Sequence, residues 1–262
     1  MTTTLATESL RLDVDGRVLV DVLDLRIVDG EVWAVIGPNG AGKSTLLRTL
    51  AGLRAPDGGA VQLDGRDLAT YRPRELARRR GFLPQSVVDA FSLTVWDAVA
   101  AARHPHLPFW HWGDDGDDTT RRALALFELE ALADRDVTTL SGGERQRVNI
   151  AALFAQDVAF LLLDEPLSSL DLHQQMKVLH ALERTAVREE RAIVYSVHDI
   201  NLAARHATHA ILLDGQGHAI AGDIATVITS DHLSAAFHHP IHGVDIDGER
   251  FFRAGRLTDT TP

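Results

Sequence analysis

Residues 37–45 read Gly37-Pro38-Asn39-Gly40-Ala41-Gly42-Lys43-Ser44-Thr45, the most informative motif of this 262-residue chain. The motif fits the pattern G-x-x-x-x-G-K-[ST] and lies between an apolar run that ends at Ile36 and a helical run over 44–50. In this arrangement backbone N–H groups of the loop surround a β-phosphate, Lys43 bridges the β- and γ-phosphates, and Ser44 ligates Mg²⁺. The motif therefore predicts a phosphate-binding loop, and it leaves open whether the chain is a kinase, a GTPase or an ATPase.

A second motif is an apolar run that is followed directly by two acids, Phe160-Leu161-Leu162-Leu163-Asp164-Glu165. A buried strand of this composition delivers two acids to the edge of the sheet where nucleotides bind. Asp164 is then placed to hold the Mg²⁺ shell, and Glu165 to polarise the attacking water as general base. Two acids after an apolar run can also be a plain strand end, so this interpretation depends on the phosphate loop upstream.

Around these motifs, β-rich runs and helical runs follow each other in a regular order. Strands are predicted at 10–14, 18–27, 31–36, 60–63, 158–163, 192–197 and 210–213, and helices at 44–50, 173–188 and 200–206. The alternation after residue 155 predicts a largely parallel sheet covered by helices, so the fold class is α/β. Two hairpins are also predicted, turning at Asp64-Gly65 and at Asp247-Gly248.

The middle of the chain has a different pattern, with apolar residues at helical spacing over 95–102 and 120–134. An aromatic, histidine-rich and then acidic stretch, 104–118, separates the two runs. We expect a small helical lobe with a surface loop here. The chain shows no internal repeat, and residues 256–262 are expected to form a frayed tail.

Composition limits the possible functions. The chain has no cysteine, which excludes disulfides and thiolate metal sites, and its formal net charge of -11 argues against general affinity for nucleic acid. No apolar run approaches the roughly 20 residues that cross a bilayer. Residues 1–9 lack a basic leader followed by an apolar stretch, so we expect a cytoplasmic protein.

One local cluster is basic and comprises Arg72, Arg74, Arg78, Arg79 and Arg80. The cluster is interpreted as a solvated helix face that offsets the acidic surface. Contact with a partner or with lipid headgroups is the alternative.

The motif that narrows the class is Leu140-Ser141-Gly142-Gly143-Glu144-Arg145-Gln146-Arg147. A serine hydroxyl and two glycines at a helix start can present N–H groups to a γ-phosphate. With this motif between the phosphate loop and the Asp-Glu pair, the chain resembles the ATP-binding-cassette (ABC) family over roughly 10–222. The resemblance implies a P-loop NTPase core of the RecA-like type, with an N-terminal antiparallel β-subdomain and an inserted α-helical subdomain at about 90–155. It also implies an ATPase domain over 1–242, followed by a C-terminal hairpin and tail over 243–262.

Three further positions match the family in order. Gln85 matches the glutamine that senses Mg²⁺ and the attacking water, and His198 matches the histidine that contacts the γ-phosphate. Asp171 ends Ser168-Ser169-Leu170-Asp171, which matches the loop along the dimer interface.

The resemblance implies a role for each residue of the site. Catalysis is implied for Glu165, His198 and Gln85, and Mg²⁺ binding for Ser44, Gln85 and Asp164. Contacts with ATP are implied for Gly37, Pro38, Asn39, Gly40, Ala41, Gly42, Lys43, Ser44, Thr45, Ser141, Gly142, Gly143 and Asp171.

The resemblance also implies how the chain works with other proteins. In the family the signature of one copy completes the phosphate site of the other, so a homodimer sandwiches two ATP molecules. The implied partners are a separate integral membrane permease and, indirectly, a periplasmic or extracytoplasmic substrate-binding protein, with no nucleic acid. The implied location is the cytoplasmic face of the inner membrane. The stretches 91–99, 102–106 and 244–252 look like the subfamily that serves iron-siderophore, haem and vitamin B12 importers.

One departure from the family concerns adenine. Val14 stands where family members commonly place an aromatic residue that stacks on the base, so strict preference for ATP over GTP is open. Six histidines are not interpreted as metal ligands, because none of them has an acidic or histidine partner at a convincing helical spacing. They are His104, His106, His111, His238, His239 and His242.

Two other functions fit a cassette of this kind. A soluble ABC ATPase that acts on nucleic acid or ribosomes generally carries a long coiled-coil insertion or a second cassette, and neither appears in this sequence. A regulator that binds ATP without turnover is disfavoured by the presence of Glu165 and His198.

Overall fold

The computed structural model describes residues 3–87, 92–107 and 117–256. The strands are β1 (Thr4–Val14), β2 (Arg17–Val28), β3 (Val32–Ile36), β4 (Gly58–Leu63), β5 (Arg66–Asp67), β6 (Arg80–Leu83), β7 (Phe160–Leu163), β8 (Ala192–Ser196), β9 (His209–Leu213), β10 (Ala219–Asp223), β11 (Ile241–Ile246) and β12 (Glu249–Ala254). The helices are α1 (Lys43–Leu50), α2 (Pro73–Ala77), α3 (Val95–Ala101), α4 (Asp117–Leu126), α5 (Gly142–Ala155), α6 (Leu172–Glu189), α7 (Ile200–His206), α8 (Ile224–Val227) and α9 (Ser230–Phe237).

The central sheet has the strand order β10-β9-β3-β8-β7-β6, and its neighbouring strands are parallel except for β10 with β9. Strands β3, β7 and β8 are buried along their whole length, as expected for parallel strands covered on both faces. The buried residues of one face belong to a core shared with α3 to α7, and those of the other face belong to a core shared with α1 and the N-terminal strands. Only β8 separates β3 from β7, so the sheet brings the phosphate loop and the two acids to one edge. The predicted α/β class is confirmed.

A second sheet, in the order β2-β1-β4-β5, is antiparallel and forms the N-terminal β-subdomain that the resemblance implies. Its strands are longer than predicted. In β2 the polar positions alternate with buried leucines and isoleucine, so charged residues at the exposed positions do not end the strand.

Helices α3, α4 and α5 pack together within the region predicted as a helical lobe. The helix predicted over 120–134 is wrong at its C-terminal end, because α4 stops at Leu126. Glu128 adopts a left-handed φ of 55°, and the Leu129 N–H donates to the Leu124 carbonyl at 2.9 Å, which is a Schellman-type helix end. A short 3-10 turn at Glu130–Leu132 continues the apolar pattern. Part of the predicted loop, with His111, and most of the predicted tail lie outside the described residues.

The C-terminal region contains both predicted and unpredicted elements. β10, α8 and α9 were not predicted, whereas the hairpin β11–β12 turns at Asp247-Gly248 as predicted. Its strand β11 begins at Ile241, so the predicted boundary at 242/243 falls inside a strand. The hairpin packs on α7, and Phe252 is buried in the core that the central sheet shares with α3 to α7.

The basic cluster is divided by the fold. Arg80 lies in β6, where its guanidinium donates to the Ala51 carbonyl and burial lowers its pKa, so including it in a solvated face was wrong. Arg74 and Arg78 donate to backbone carbonyls of the helical lobe, including that of Pro105. None of the helices in the described part of the chain is both long and apolar enough to cross a membrane.

Candidate active site

The phosphate loop connects β3 to α1 and depends on glycine at both ends. A Cβ on Gly37 would lie 2.3 Å from the Leu213 carbonyl oxygen of the neighbouring strand. Gly42, which precedes the first turn of α1, has a φ of 101° and approaches the side chain of Leu19. These two positions exclude larger side chains, so the backbone can curve tightly at the N-terminus of α1.

Lys43 is the first residue of α1 and is only 6% exposed. Its ammonium donates to the carbonyls of Gly37 at 2.9 Å and Pro38 at 3.2 Å. Burial lowers the pKa of Lys43, while the negative charges of Glu165 and Asp164 act in the opposite direction. The loop thus holds a positive charge inside its own curve, where phosphate oxygens can replace the two carbonyls as acceptors.

Asp164 follows β7 and is completely buried. Its Oδ1 accepts a hydrogen bond from the Ser196 hydroxyl at 2.8 Å. Its Oδ2 is buried and has no hydrogen-bond partner among the described residues. A buried carboxylate oxygen without a donor is costly unless a cation is present, and oxygen ligands are those that Mg²⁺ prefers. The residues present therefore fit a Mg²⁺ ion at this position.

Glu165, the next residue, has a left-handed φ of 50°. Its N–H donates to the Ser196 hydroxyl at 2.8 Å, and its Oε1 lies 2.8 Å from Nε2 of His198. His198 lies directly beyond the end of β8, two residues after Ser196. The fold thus places the predicted base and the predicted histidine in direct contact.

A cleft of about 650 Å³ lies over the loop. It brings together Asn39, Gly40, Gly42, Lys43, Ser44, Thr45, Gln85 and Glu165. Val14, Asp15, Arg17 and Leu19 of the β1–β2 hairpin line the same cleft, and the part that position 14 plays in holding adenine stays a prediction. Gln85 also lines this cleft, and its role toward Mg²⁺ and the attacking water stays a prediction.

The signature residues lie elsewhere on the chain. Among the described residues that line the cleft, Ser141, Gly142 and Gly143 are absent. Ser141 caps α5 in a capping box: its backbone N–H and its hydroxyl each donate to Oε2 of Glu144 at 2.8 Å. The signature and the phosphate loop of one chain thus do not form one pocket.

The loop 168–171 lies beside the signature. A Cβ on Gly143 would lie 3.1 Å from the Ser169 carbonyl oxygen. Asp171 caps α6 by accepting from the Gln174 N–H at 2.8 Å, and the Gln175 amide donates to the carbonyls of Leu167 and Leu170. These hydrogen bonds fix the loop to the first turn of α6. Asp171 thus has a structural role as a helix cap in addition to the predicted contact with nucleotide.

Three residues near the site were missed in the sequence. Ser196 is the last residue of an otherwise apolar strand, and a small polar side chain at such a strand end was the available signal. Asp15 and Arg17 carry no motif, and only the folding of the N-terminal strands brings them to the cleft.

Two of the histidines outside the site, His238 and His239, have hydrogen-bonding partners elsewhere in the fold. Nε2 of His238 lies 2.9 Å from the Gln216 amide, and Nε2 of His239 lies 2.9 Å from the Gly255 carbonyl oxygen. Burial lowers the pKa of His106. Among residues 3–87, 92–107 and 117–256, no three side chains of His, Cys, Asp or Glu are grouped in a way that could hold a metal ion.

Comparison with known proteins agrees with this geometry. The pattern that defines the ABC transporter family matches residues 20–168. The probable siderophore transport system ATP-binding protein YusV of Bacillus subtilis is 40% identical over 234 residues, which are 89% of this chain and 85% of that protein. The hemin import ATP-binding protein HmuV of Nocardia farcinica is 41% identical over 230 residues, which are 88% of this chain and 79% of that protein.

A solved structure extends the similarity to three dimensions. The inward-facing conformation of a metal-chelate type ABC transporter, itself described as putative, has a TM-score of 0.83 at 30% identity. The match covers 98% of this chain and 99% of that one. With the phosphate loop, the paired acids and the signature in place, the chain belongs to the ABC transporter family and is an ATP-binding and ATP-hydrolysing subunit.

Proposed function

We propose that this ATPase drives an importer of metal chelates, of the iron-siderophore, haem or cobalamin kind. The observation that carries the proposal is the extent of the similarity. The match to a metal-chelate type transporter covers 98% of the chain, and the siderophore and hemin relatives match well over four fifths of it. The likeness is thus not confined to the ATP site that all cassettes share.

Within the site, the chain's own groups bind and orient the substrate. The Lys43 ammonium donates to the β- and γ-phosphates of ATP in place of its present carbonyl partners. Ser44, Asp164 and Gln85 would hold Mg²⁺, which would neutralise charge on the phosphate oxygens. The Glu165 carboxylate accepts a proton from the attacking water, and His198 orients that carboxylate through the 2.8 Å contact.

A second copy of the chain completes the site. The separation of Ser141 from the chain's own cleft supports this, because a γ-phosphate above Lys43 then needs its signature contacts from another subunit. Asp171 and its loop lie next to the signature and would follow the same interface. We therefore propose a homodimer docked on a separate permease at the cytoplasmic face of the membrane, fed by an extracytoplasmic binding protein and without nucleic acid.

The domain division is part of the same proposal. The ATPase domain covers 1–242, with the helical lobe at about 90–155, and the rest of the hairpin and the tail cover 243–262, so the division falls within β11. Because the hairpin packs on α7, we interpret it as a C-terminal extension of the ATPase domain rather than as a separate domain.

Growth of a deletion strain tests the cargo. The strain is supplied with haem, ferric siderophores or cobalamin as the limiting nutrient, and is complemented with the wild-type chain or with Glu165→Gln. We expect the wild-type chain alone to restore growth on one of the three. Normal growth of the deletion strain on all three nutrients, together with ATPase activity stimulated by RNA or DNA, would favour the alternative function, a soluble ABC ATPase that acts on nucleic acid or ribosomes.

A further inference from the structure

Ser196 occupies a central position at the edge of the sheet. It ends β8, the strand between β3 and β7, and it is paired with Val35 of β3. On the other side Tyr195 is paired with Leu163, so Ser196 comes level with Asp164. Its side chain is fully buried between the phosphate loop and the two acids.

The Ser196 hydroxyl acts both as a hydrogen-bond donor and as an acceptor within the site. The hydroxyl proton goes to Oδ1 of Asp164, and a lone pair accepts the N–H of Glu165, each at 2.8 Å. One atom therefore fixes the rotation of the first carboxylate and the backbone of the second. Since Oδ1 is engaged by Ser196, the oxygen left for a cation is the unpartnered Oδ2.

We infer that Ser196 is a positioning residue, which orients Asp164 toward the metal and holds Glu165 in its left-handed conformation. This inference rests on the proposed assignment of Asp164 to Mg²⁺. Partners that orient a metal ligand in this way typically change metal affinity by about 10- to 100-fold when they are removed. Glu165 has a further need for support, because a left-handed φ is unfavourable for a residue with a Cβ.

The neighbouring Tyr195 offers a matched control. Its hydroxyl is also buried on β8, but it has no hydrogen-bond partner among the described residues. Tyr195→Phe thus removes a buried hydroxyl one position away without touching either acid. Ser196→Thr keeps a hydroxyl at position 196 and is the conservative variant.

The primary measurement is Mn²⁺ affinity, followed by electron paramagnetic resonance with the protein in excess over a nonhydrolysable ATP analogue. We expect Ser196→Ala to weaken Mn²⁺ binding about 10- to 100-fold. Ser196→Thr is expected to recover most of that loss, and Tyr195→Phe to match the wild type. In ATPase assays Ser196→Ala should lower kcat with little change in KM for ATP, and excess Mg²⁺ should restore part of the rate.

Four results separate the possible failures. Unchanged Mn²⁺ affinity in Ser196→Ala, or an equal loss in Tyr195→Phe, overturns the positioning role. Asp164→Asn serves as the reference: if it binds Mn²⁺ as well as the wild type does, the metal assignment itself fails. If Ser196→Ala does not fold, Ser196→Cys carries the same test, because a thiol of similar size is only a weak donor, and wild-type affinity in that variant overturns the inference.

Discussion

Glu165 is the residue at which local strain and chemistry coincide. Its φ of 50° is rare for a side chain with a Cβ, and such strain persists only where surrounding contacts hold it. The contacts that do so include the backbone N–H bond to Ser196, the side-chain contact with His198, and the bond from the Ser168 hydroxyl to the Glu165 carbonyl at 2.9 Å. The strained turn directs the carboxylate away from β7 and into the cleft that contains Lys43.

Glu165→Gln tests the general base directly. The amide keeps the size of the side chain but cannot accept the proton of the attacking water, so we expect ATP to bind and to trap a dimer. Hydrolysis should fall by about 10²- to 10⁴-fold. ATPase assays and size-exclusion chromatography with ATP measure the two effects. Glu189→Gln, at an exposed position on α6, is the control, and near-normal hydrolysis by Glu165→Gln would contradict the assignment.

Val14→Tyr tests how adenine is held. Val14 borders the cleft where an aromatic ring would face the base, and stacking of a base on an aromatic side chain is worth about 1–3 kcal/mol. We expect ATP affinity to rise about 5- to 150-fold, as measured with a fluorescent ATP analogue. Val22→Tyr, at a 56% exposed position of β2, should leave the affinity unchanged. Equal affinities in all three proteins would place adenine away from Val14.

At the scale of elements, the bounds of α1, α6 and α7 were predicted closely at both ends, whereas α4 ends at Leu126 rather than at 134. The sequence motifs supply the caps: Gly42 precedes α1, and Ser141 and Asp171 cap α5 and α6, so chemistry and helix initiation share the same residues. The end of α4 depends on the left-handed Glu128, a residue type that gives no such signal. Helices α8 and α9 were missed because they are short and are stabilised by packing rather than by a periodic pattern.

Asn201→Ala tests how the C-terminal hairpin is attached. The Asn201 side chain accepts from the Phe252 N–H at 2.7 Å and donates to the Phe252 carbonyl at 3.2 Å, so one side chain ties β12 to α7. We expect the free energy of unfolding to fall by about 1–3 kcal/mol. Amide hydrogen exchange of 241–254 should also become faster.

Arg205→Ala is the matched control for that variant. Arg205 joins the same two elements through a 3.6 Å ion pair with Glu249, but both side chains are more than half exposed. An exposed pair of this kind contributes less than about 1 kcal/mol. If Arg205→Ala destabilised the protein as much as Asn201→Ala in urea unfolding, the hairpin would be held by charge rather than by the half-buried Asn201 amide.

At the scale of the whole molecule, the strand order explains which parts of the site were predictable. β8 lies between β3 and β7, so the phosphate loop and the paired acids meet in any parallel sheet of this order. The contribution of β8 itself, through Ser196, depends on register and could not be read from a motif. The signature was identifiable from its residues, yet its place outside the chain's own cleft follows only from the fold.

Crosslinking between two copies tests the shared site. The chain has no native cysteine, so introduced thiols are the only ones present. One copy carries Asn39→Cys, a differently tagged copy carries Ser141→Cys, and both carry Glu165→Gln so that ATP is not turned over. Because the cleft over Asn39 lacks the signature of its own chain, we expect a short bifunctional maleimide to join the two tags when ATP and Mg²⁺ are present. Val22→Cys in place of Asn39→Cys should give no joined product, since Val22 lies on the exposed side of β2. Absence of an ATP-dependent product between the Asn39 and Ser141 positions would show that the two motifs do not face each other across a dimer.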